Sequence, residues 1–266
     1  MKSIPHVISW NLTKACNLLC THCYLLADNV QTDTQLTGTA SGQDTPNFNQ
    51  VQCGSANAAD ELDTEKALKV IDEIAELNPS LILILTGGEP LLREDLFDLS
   101  RYAAGKGMMV LLGTNACLID DEMAKKLKDN GFSGIGISLD SVHPETHDSI
   151  RGAKGSWEKA VEGMKACRRN GLEIQIQSTV FKKNYDEIPE LVAFANDIGA
   201  RVFNLFFLVC TGRGQDITDI TSEQYEDALK QIYKLHSQYE GKMLVSAKCA
   251  PHYRRIAYEM DPESAL

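Results

Sequence analysis

Leu81-Ile82-Leu83-Ile84-Leu85 runs directly into Thr86-Gly87-Gly88-Glu89-Pro90. A short, wholly apolar run closed by a Gly-Gly turn reads as a strand buried on both faces, the kind found in a parallel sheet covered by helices. Upstream, Ala67, Val70, Ile71 and Ile74 recur at helical spacing behind an Asp63/Thr64 cap, and Pro79 stops that helix. Downstream the unit repeats. A strand at 109–112 precedes a helix with Met123 and Leu127 inward, a stop at Gly131 and a strand at 135–139. Two further helices end at Gly171 and Gly199, where a left-handed residue after the last turn suits glycine. Strands at 173–180 and 201–209, with one at 7–12, bring the number to six, about three-quarters of an eight-stranded barrel. The predicted fold class is α/β, a partial (β/α)6 TIM-type barrel.

The chain length suits one large domain or two small ones. The chain has 266 residues, 43% of them apolar and 24% charged, with a net charge of −11, which excludes a disordered or collagen-like chain. So acidic a chain lacks the basic face of a nucleic-acid binder. No purely apolar run, 81–85 included, approaches the ~20 residues that a membrane-spanning helix needs. Pro5 and His6 so near the start do not resemble a secretory signal. A reducing cytoplasm is the expected compartment, and there the eight cysteines read as ligands or redox groups rather than disulfides.

Two stretches break the alternation. Residues 29–61 are rich in Thr, Gly, Ser, Gln, Asn and Asp, and read either as a long polar loop or lid over a substrate or as a disordered insertion. After the sixth strand, Thr221 with Gln224 forms a capping box, and Tyr225, Leu229 and Ile232 carry the stripe of another helix. A short strand at 243–245 and the turn Cys249-Ala250-Pro251-His252 then begin something new. The expected organisation is a barrel over 1–220, followed at 221–266 by a C-terminal helix and the start of a small cysteine-containing extension, cut short at Leu266.

Chemistry concentrates at the first strand end. Cys16, Cys20 and Cys23 form C-x3-C-x2-C, so one tight loop presents three thiolates to a single point. Zinc prefers four closed ligands, commonly as two C-x2-C pairs, and no second pair is visible. A cubane [4Fe-4S] cluster held by three thiolates keeps one iron open for a cofactor or substrate. An inert buried set and an electron carrier remain alternatives, although a carrier would ordinarily surround its cluster with four thiolates. Cys53, Cys117 and Cys167 stand apart from the triad, and Cys167 shares an apolar helical face with Ala160 and Met164.

The triad followed by Tyr24 resembles the signature of the radical S-adenosylmethionine enzymes. The resemblance implies a [4Fe-4S] cluster whose open iron chelates the methionyl part of S-adenosylmethionine. Reductive cleavage then yields a 5′-deoxyadenosyl radical that abstracts hydrogen. Gly87-Gly88-Glu89-Pro90 looks like the family's GGEP turn, which contacts the methionyl amino group, with Glu89 an acceptor for an ammonium. In the subgroup resembled, a serine at the fourth strand end, here Ser138, faces the cofactor. The arginine of an Arg-Gly pair, here Arg151, contacts its carboxylate or ribose; without the resemblance Arg151 would read equally as a surface salt-bridge partner. The fifth strand carries polar Gln175, Gln177 and Ser178, of which Gln177 is the choice for the ribose. Thr211-Gly212-Arg213-Gly214 resembles the glycine turn near adenine and substrate, and Cys210 stands where many relatives carry proline. His143 and His147 read as acid/base candidates or as solvated loop histidines. No catalytic residue is assigned.

The segment from Cys249 to Arg254 resembles the opening of the SPASM/twitch extension of radical enzymes, which makes Cys249 a ligand of an auxiliary iron–sulfur cluster. Overall the chain looks most like tetrapyrrole-modifying members of haem biosynthesis that decarboxylate propionates, with Arg254 and Arg255 a cationic spot for substrate carboxylates. The alternative within the family is a maturase of a ribosomally synthesised peptide. Either implies reduced ferredoxin or flavodoxin as electron donor, and no nucleic-acid or membrane partner.

Overall fold

A computed structural model of the chain describes residues 4–29, 61–217 and 219–264. Most of the polar stretch read as a loop or lid, residues 30–60 with Cys53, lies outside the described residues. The strands are β1 (Val7–Asn11), β2 (Ala15–Cys16), β3 (Asp28–Asn29), β4 (Ile82–Thr86), β5 (Met109–Thr114), β6 (Phe132–Ser138), β7 (Glu173–Val180), β8 (Val202–Phe207) and β9 (Leu244–Lys248). The helices are α1 (Thr64–Leu77), α2 (Leu96–Gly105), α3 (Asp121–Asp129), α4 (Pro144–Arg151), α5 (Ser156–Arg169), α6 (Ile188–Asp197), α7 (Ser222–Gln238) and α8 (Tyr253–Met260).

Seven strands form one parallel sheet in the order β1-β4-β5-β6-β7-β8-β9, curled into a partial barrel. Strand order following chain order is what successive β-helix-β crossovers produce. All six barrel strands read from the sequence are present, and the strand read at 243–245 as the start of an extension joins their sheet as a seventh. The run at 243–245 opens β9, which pairs in register with β8 from Val202↔Leu244 to Phe206↔Lys248. Helix α7 and β9 thus extend the same sheet by one more unit. The sequence concealed this because only Val245 of β9 is fully buried while Leu244 is half exposed.

Alternation sorts the side chains of each strand. On β7 the even residues Ile174, Ile176, Ser178 and Val180 are buried and the odd residues Gln175, Gln177 and Thr179 are half-buried. Ser178, expected with the glutamines, therefore lies on the opposite face. The buried faces of β4 to β9 pack Leu83, Leu85, Val110, Leu112, Ile135, Phe203 and Val245 against Ile71, Leu99, Leu127, Met164, Leu191 and Ile232 of the helices. Each such side chain contributes ~1.5–3 kcal/mol by leaving water. Cys167 belongs to this core, wholly buried, as expected.

Local signals for the helices are realised closely. The Asp63 side chain accepts from the Lys66 amide, and the Thr221–Gln224 capping box is complete. Gly105 ends α2 with open space where a Cβ would stand and no positive φ. Gly105→Ala is therefore expected to raise stability by ~0.5–1 kcal/mol, read as a higher urea midpoint at unchanged slope.

Candidate cluster and cofactor site

The loop after β1 carries the three cysteines, and it is gripped at three strand or helix ends. At β4, the Gly88 amide donates to Thr13 O at 2.7 Å and the Glu89 amide to Ala15 O at 2.8 Å. At α4, Ile150 O accepts from the Thr21 amide at 2.9 Å. Beyond β8, the Arg213 amide donates to Cys23 O at 3.0 Å, its Nε to Cys20 O at 2.8 Å and its Nη1 to Ala27 O at 3.1 Å. Such close backbone approach requires glycine. A Cβ on Gly88 would stand 2.3 Å from Ala15 O, and one on Gly212, at φ +58°, 2.4 Å from Cys23 O. A short parallel pairing of β2 with β3 ties the two ends of the loop together.

Cys16 and Cys20 are buried and Cys23 is half-buried. Burial pushes the Cys16 thiol up to about 12, the Leu18 amide opposing and Glu89 adding to the rise. It also raises Cys20, against the Arg151 guanidinium. Such thiols keep their protons until a metal takes their place. Cys117, isolated in the sequence, packs with Cys16, Leu18, Cys20, Ala27 and Ala153 in one small buried group, with Cys23 at its margin. Its only signal in the sequence was its position just past the end of β5.

Arg151 is neither at the surface nor free. It is buried, its Nη2 forms an ion pair with Asp140 Oδ2 at 2.8 Å, and its Nη1 donates to Cys20 Sγ at 3.8 Å. Asp140, just past β6, is wholly buried. Its Oδ1 accepts from the Thr179 amide at 3.0 Å, its carbonyl from Asn184 Nδ2 at 2.7 Å, and its amide donates to His147 Nδ1 at 3.2 Å. Burial opposes ionisation of Asp140, but Arg151, His22 and His147 outweigh it and hold the carboxyl below the usual range. His147, expected as a solvated loop residue or an acid/base group, is buried, and burial lowers it to about 4. His22, two residues after Cys20, lies 3.7 Å from Asp140 Oδ2 and is likewise lowered to about 4 by burial.

Glu89 was expected to accept from an ammonium group. It is wholly buried and already accepts from Thr114 Oγ1 and the Asn115 amide, each at 2.9 Å, and from the Leu91 amide at 3.1 Å. The side chain thus clamps the end of β4 to the end of β5. Asn115 Nδ2 continues the network to Asn17 Oδ1 at 2.7 Å, inside the cysteine loop. Burial raises Glu89 to about 7 despite these donors. The folded protein then holds a proton that the unfolded chain releases above about 4.5, so this contribution to stability is complete below 4.5 and lost as pH rises through 7. In metal-free protein the stability difference between wild type and Glu89→Gln should accordingly shrink by on the order of 2 kcal/mol from pH 4.5 to 7 in urea titrations. A constant difference would exclude a proton on Glu89.

Pro90 is buried and opens a 3-10 turn, Pro90–Leu92. Ser138 and Gln177 are register partners across β6 and β7 on half-buried faces. Tyr24 is exposed and donates to Asn11 Oδ1 at 3.3 Å. Cys249 is exposed beyond β9, outside the group formed around Cys16 and Cys20. Arg255 is not a free cation, because Glu226 and Glu259 both pair with it. His143 is exposed, 3.9 Å from Glu190.

The donor set suits an iron–sulfur cluster. Among the described residues no three His, Cys, Asp or Glu side chains converge closely enough to hold a single ion. A cubane makes no such demand, since each thiolate binds a different iron. Around the loop, Asn17 Nδ2, Arg151 Nε and Arg213 Nη2 are buried donors without an acceptor among the described residues, a complement for an anionic group rich in acceptors. The Radical SAM superfamily model matches residues 10–195, from β1 into α6.

The chain belongs to the radical SAM superfamily.

Within this superfamily the chain is 37% identical over 256 residues to an AdoMet-dependent heme synthase of Methanosarcina barkeri, covering 96% of this chain and 65% of that protein. It is 31% identical over 216 residues to the mycofactocin maturase MftC of Mycolicibacterium smegmatis, covering 81% of this chain and 47% of that one. The chain thus spans roughly half to two-thirds of these relatives. The crystal structure of Streptococcus suis SuiB superposes with a TM-score of 0.72 at 16% identity, covering 99% of this chain and 54% of SuiB, a likeness of fold. The radical SAM barrel of this chain contains no helix long and apolar enough to cross a membrane among its described residues.

Proposed function

We propose that this chain is the barrel portion of a radical S-adenosylmethionine enzyme that modifies a tetrapyrrole side chain, of the propionate-decarboxylating type found in haem biosynthesis. The observation carrying the chemistry is the loop of Cys16, Cys20 and Cys23, gripped by backbone bonds from three sides. When bound there, a reduced [4Fe-4S] cluster with S-adenosylmethionine supplies a 5′-deoxyadenosyl radical for hydrogen abstraction. The chain's own part is to hold and shield. The three thiols anchor the cluster, and the turn Gly87-Gly88-Glu89-Pro90 lies against the loop to receive the methionyl end. Ser138 and Gln177 face the ribose, and Tyr24 covers the rim. Cys249 serves an auxiliary cluster. A low-potential carrier, reduced ferredoxin or flavodoxin, delivers the electron, which with the free cysteines suits a reducing cytoplasm.

The tetrapyrrole preference is supported by the haem-synthase relative, which matches nearly the whole chain. Arg255 no longer contributes to it, being paired with two glutamates. The mycofactocin maturase relative favours a second reading, a peptide as substrate. Titration of the anaerobically reconstituted protein with iron coproporphyrin, followed by its visible absorption, separates the two. A saturable spectral shift supports the tetrapyrrole, and its absence in protein that cleaves S-adenosylmethionine transfers the assignment to the peptide.

A further inference from the structure

Arg151 and Asp140 make a buried charge pair against one corner of the cysteine triad. The guanidinium reaches Cys20 Sγ at 3.8 Å with one nitrogen and Asp140 Oδ2 at 2.8 Å with another. Both side chains are shielded, Asp140 completely and Arg151 to 9% exposure. The carboxylate cannot swing away, because the Thr179 amide, Asn184 and His147 fix its side chain and backbone from β7, the loop beyond it and α4. Of the three thiols, Cys20 alone receives a hydrogen bond from a cationic side chain among the described residues; the Cys16 sulfur accepts from the Leu18 amide at 3.4 Å.

Iron–sulfur potentials respond to nearby charge and to hydrogen bonds on the ligand sulfurs, and they respond most where water is excluded. A cation beside a ligand sulfur favours the more negative, reduced cluster, whereas a carboxylate behind it offsets that field. We propose that Arg151 tunes the reduction potential of the cluster through Cys20, with Asp140 as the positioning residue that aims the guanidinium and offsets its charge. This assigns Arg151 to the thiolate corner rather than to the carboxylate of the cofactor, and it rests on the reading that Cys16, Cys20 and Cys23 hold a cluster.

The two charges predict opposite shifts, which a residue of merely structural importance would not produce. Arg151→Met should move the midpoint to more negative potential, Asp140→Asn to more positive potential, and Arg151→Lys should stay closer to wild type than Arg151→Met. The measurement is a dithionite titration of the reconstituted full chain without S-adenosylmethionine, monitored by electron paramagnetic resonance, with iron and sulfide determined for each variant. Shifts of the same sign in Arg151→Met and Asp140→Asn, or unchanged midpoints in variants with full iron, would overturn the proposal. Loss of the cluster from every variant while wild type retains it would overturn it too, because the pair would then hold the loop instead of tuning it. A wild-type protein that binds no cluster would refute the underlying reading, a result distinguishable from all of these.

Discussion

Cys16→Ala is expected to fold and yet lose the reaction. Anaerobic reconstitution of the variant should leave it without the broad visible absorption and the acid-labile sulfide of a [4Fe-4S] cluster. The yield of 5′-deoxyadenosine from S-adenosylmethionine and dithionite should fall to background. The cause is ligand count: a cubane that lacks one of three protein thiolates keeps two anchored corners and is lost to solvent thiols. The fold itself has less at stake. Cys16 is a small buried side chain in a satellite apolar group, so truncation should cost about 1 kcal/mol, a few degrees of melting temperature in the metal-free protein. Undiminished 5′-deoxyadenosine from this variant would remove the triad from the mechanism, and zinc without sulfide in anaerobically purified wild type would remove the cluster.

Gly88→Ala should produce the reverse pattern, damage to fold and site together. The added methyl would stand 2.3 Å from Ala15 O, 2.8 Å from Ala15 C and 2.8 Å from Lys14 O. All three are backbone atoms, so no side-chain rotation relieves the clash. Relief requires the Gly-Gly turn to withdraw from the strand that leads into Cys16, which breaks the Gly88–Thr13 and Glu89–Ala15 hydrogen bonds. The expected cost is ~2–4 kcal/mol, lowering the melting temperature by roughly 5–15 °C, with reduced iron retention because the first cysteine is displaced. Wild-type stability and iron content would show that the turn and the loop are not in contact. Gly105→Ala is the internal control, the same substitution in open space.

Much of the site could be read in one dimension because its parts are local. Three ligands within eight residues are visible as spacing, and two adjacent glycines after an apolar run announce a turn wherever the chain goes. Short apolar runs between helical-period segments located six strands for the same reason, since both patterns are set by neighbours a few residues apart. Other features were invisible because their meaning is made by partners far along the chain. Arg213 reads as one residue of a glycine turn, and only folding brings it to Cys20 O and Ala27 O, nearly two hundred positions earlier. Arg151 was open between surface and site because nothing in its neighbours says that Asp140 will meet it in a sealed interior. Glu89 reads as an acceptor for a ligand, and only folding brings it the Thr114 hydroxyl and the Asn115 amide from the end of β5. His147 lies on a polar helix, and only folding buries it and brings the Asp140 amide to its Nδ1.

The division has one physical origin. Hydrophobic period, capping residues and ligand spacing act over a few bonds, so the chain alone determined an α/β barrel and a three-thiolate loop. Charge, hydrogen-bond partners and water exclusion act through space. Only the packed barrel decided which carboxylate is clamped, which guanidinium faces a sulfur, and where a seventh strand closes on the sixth.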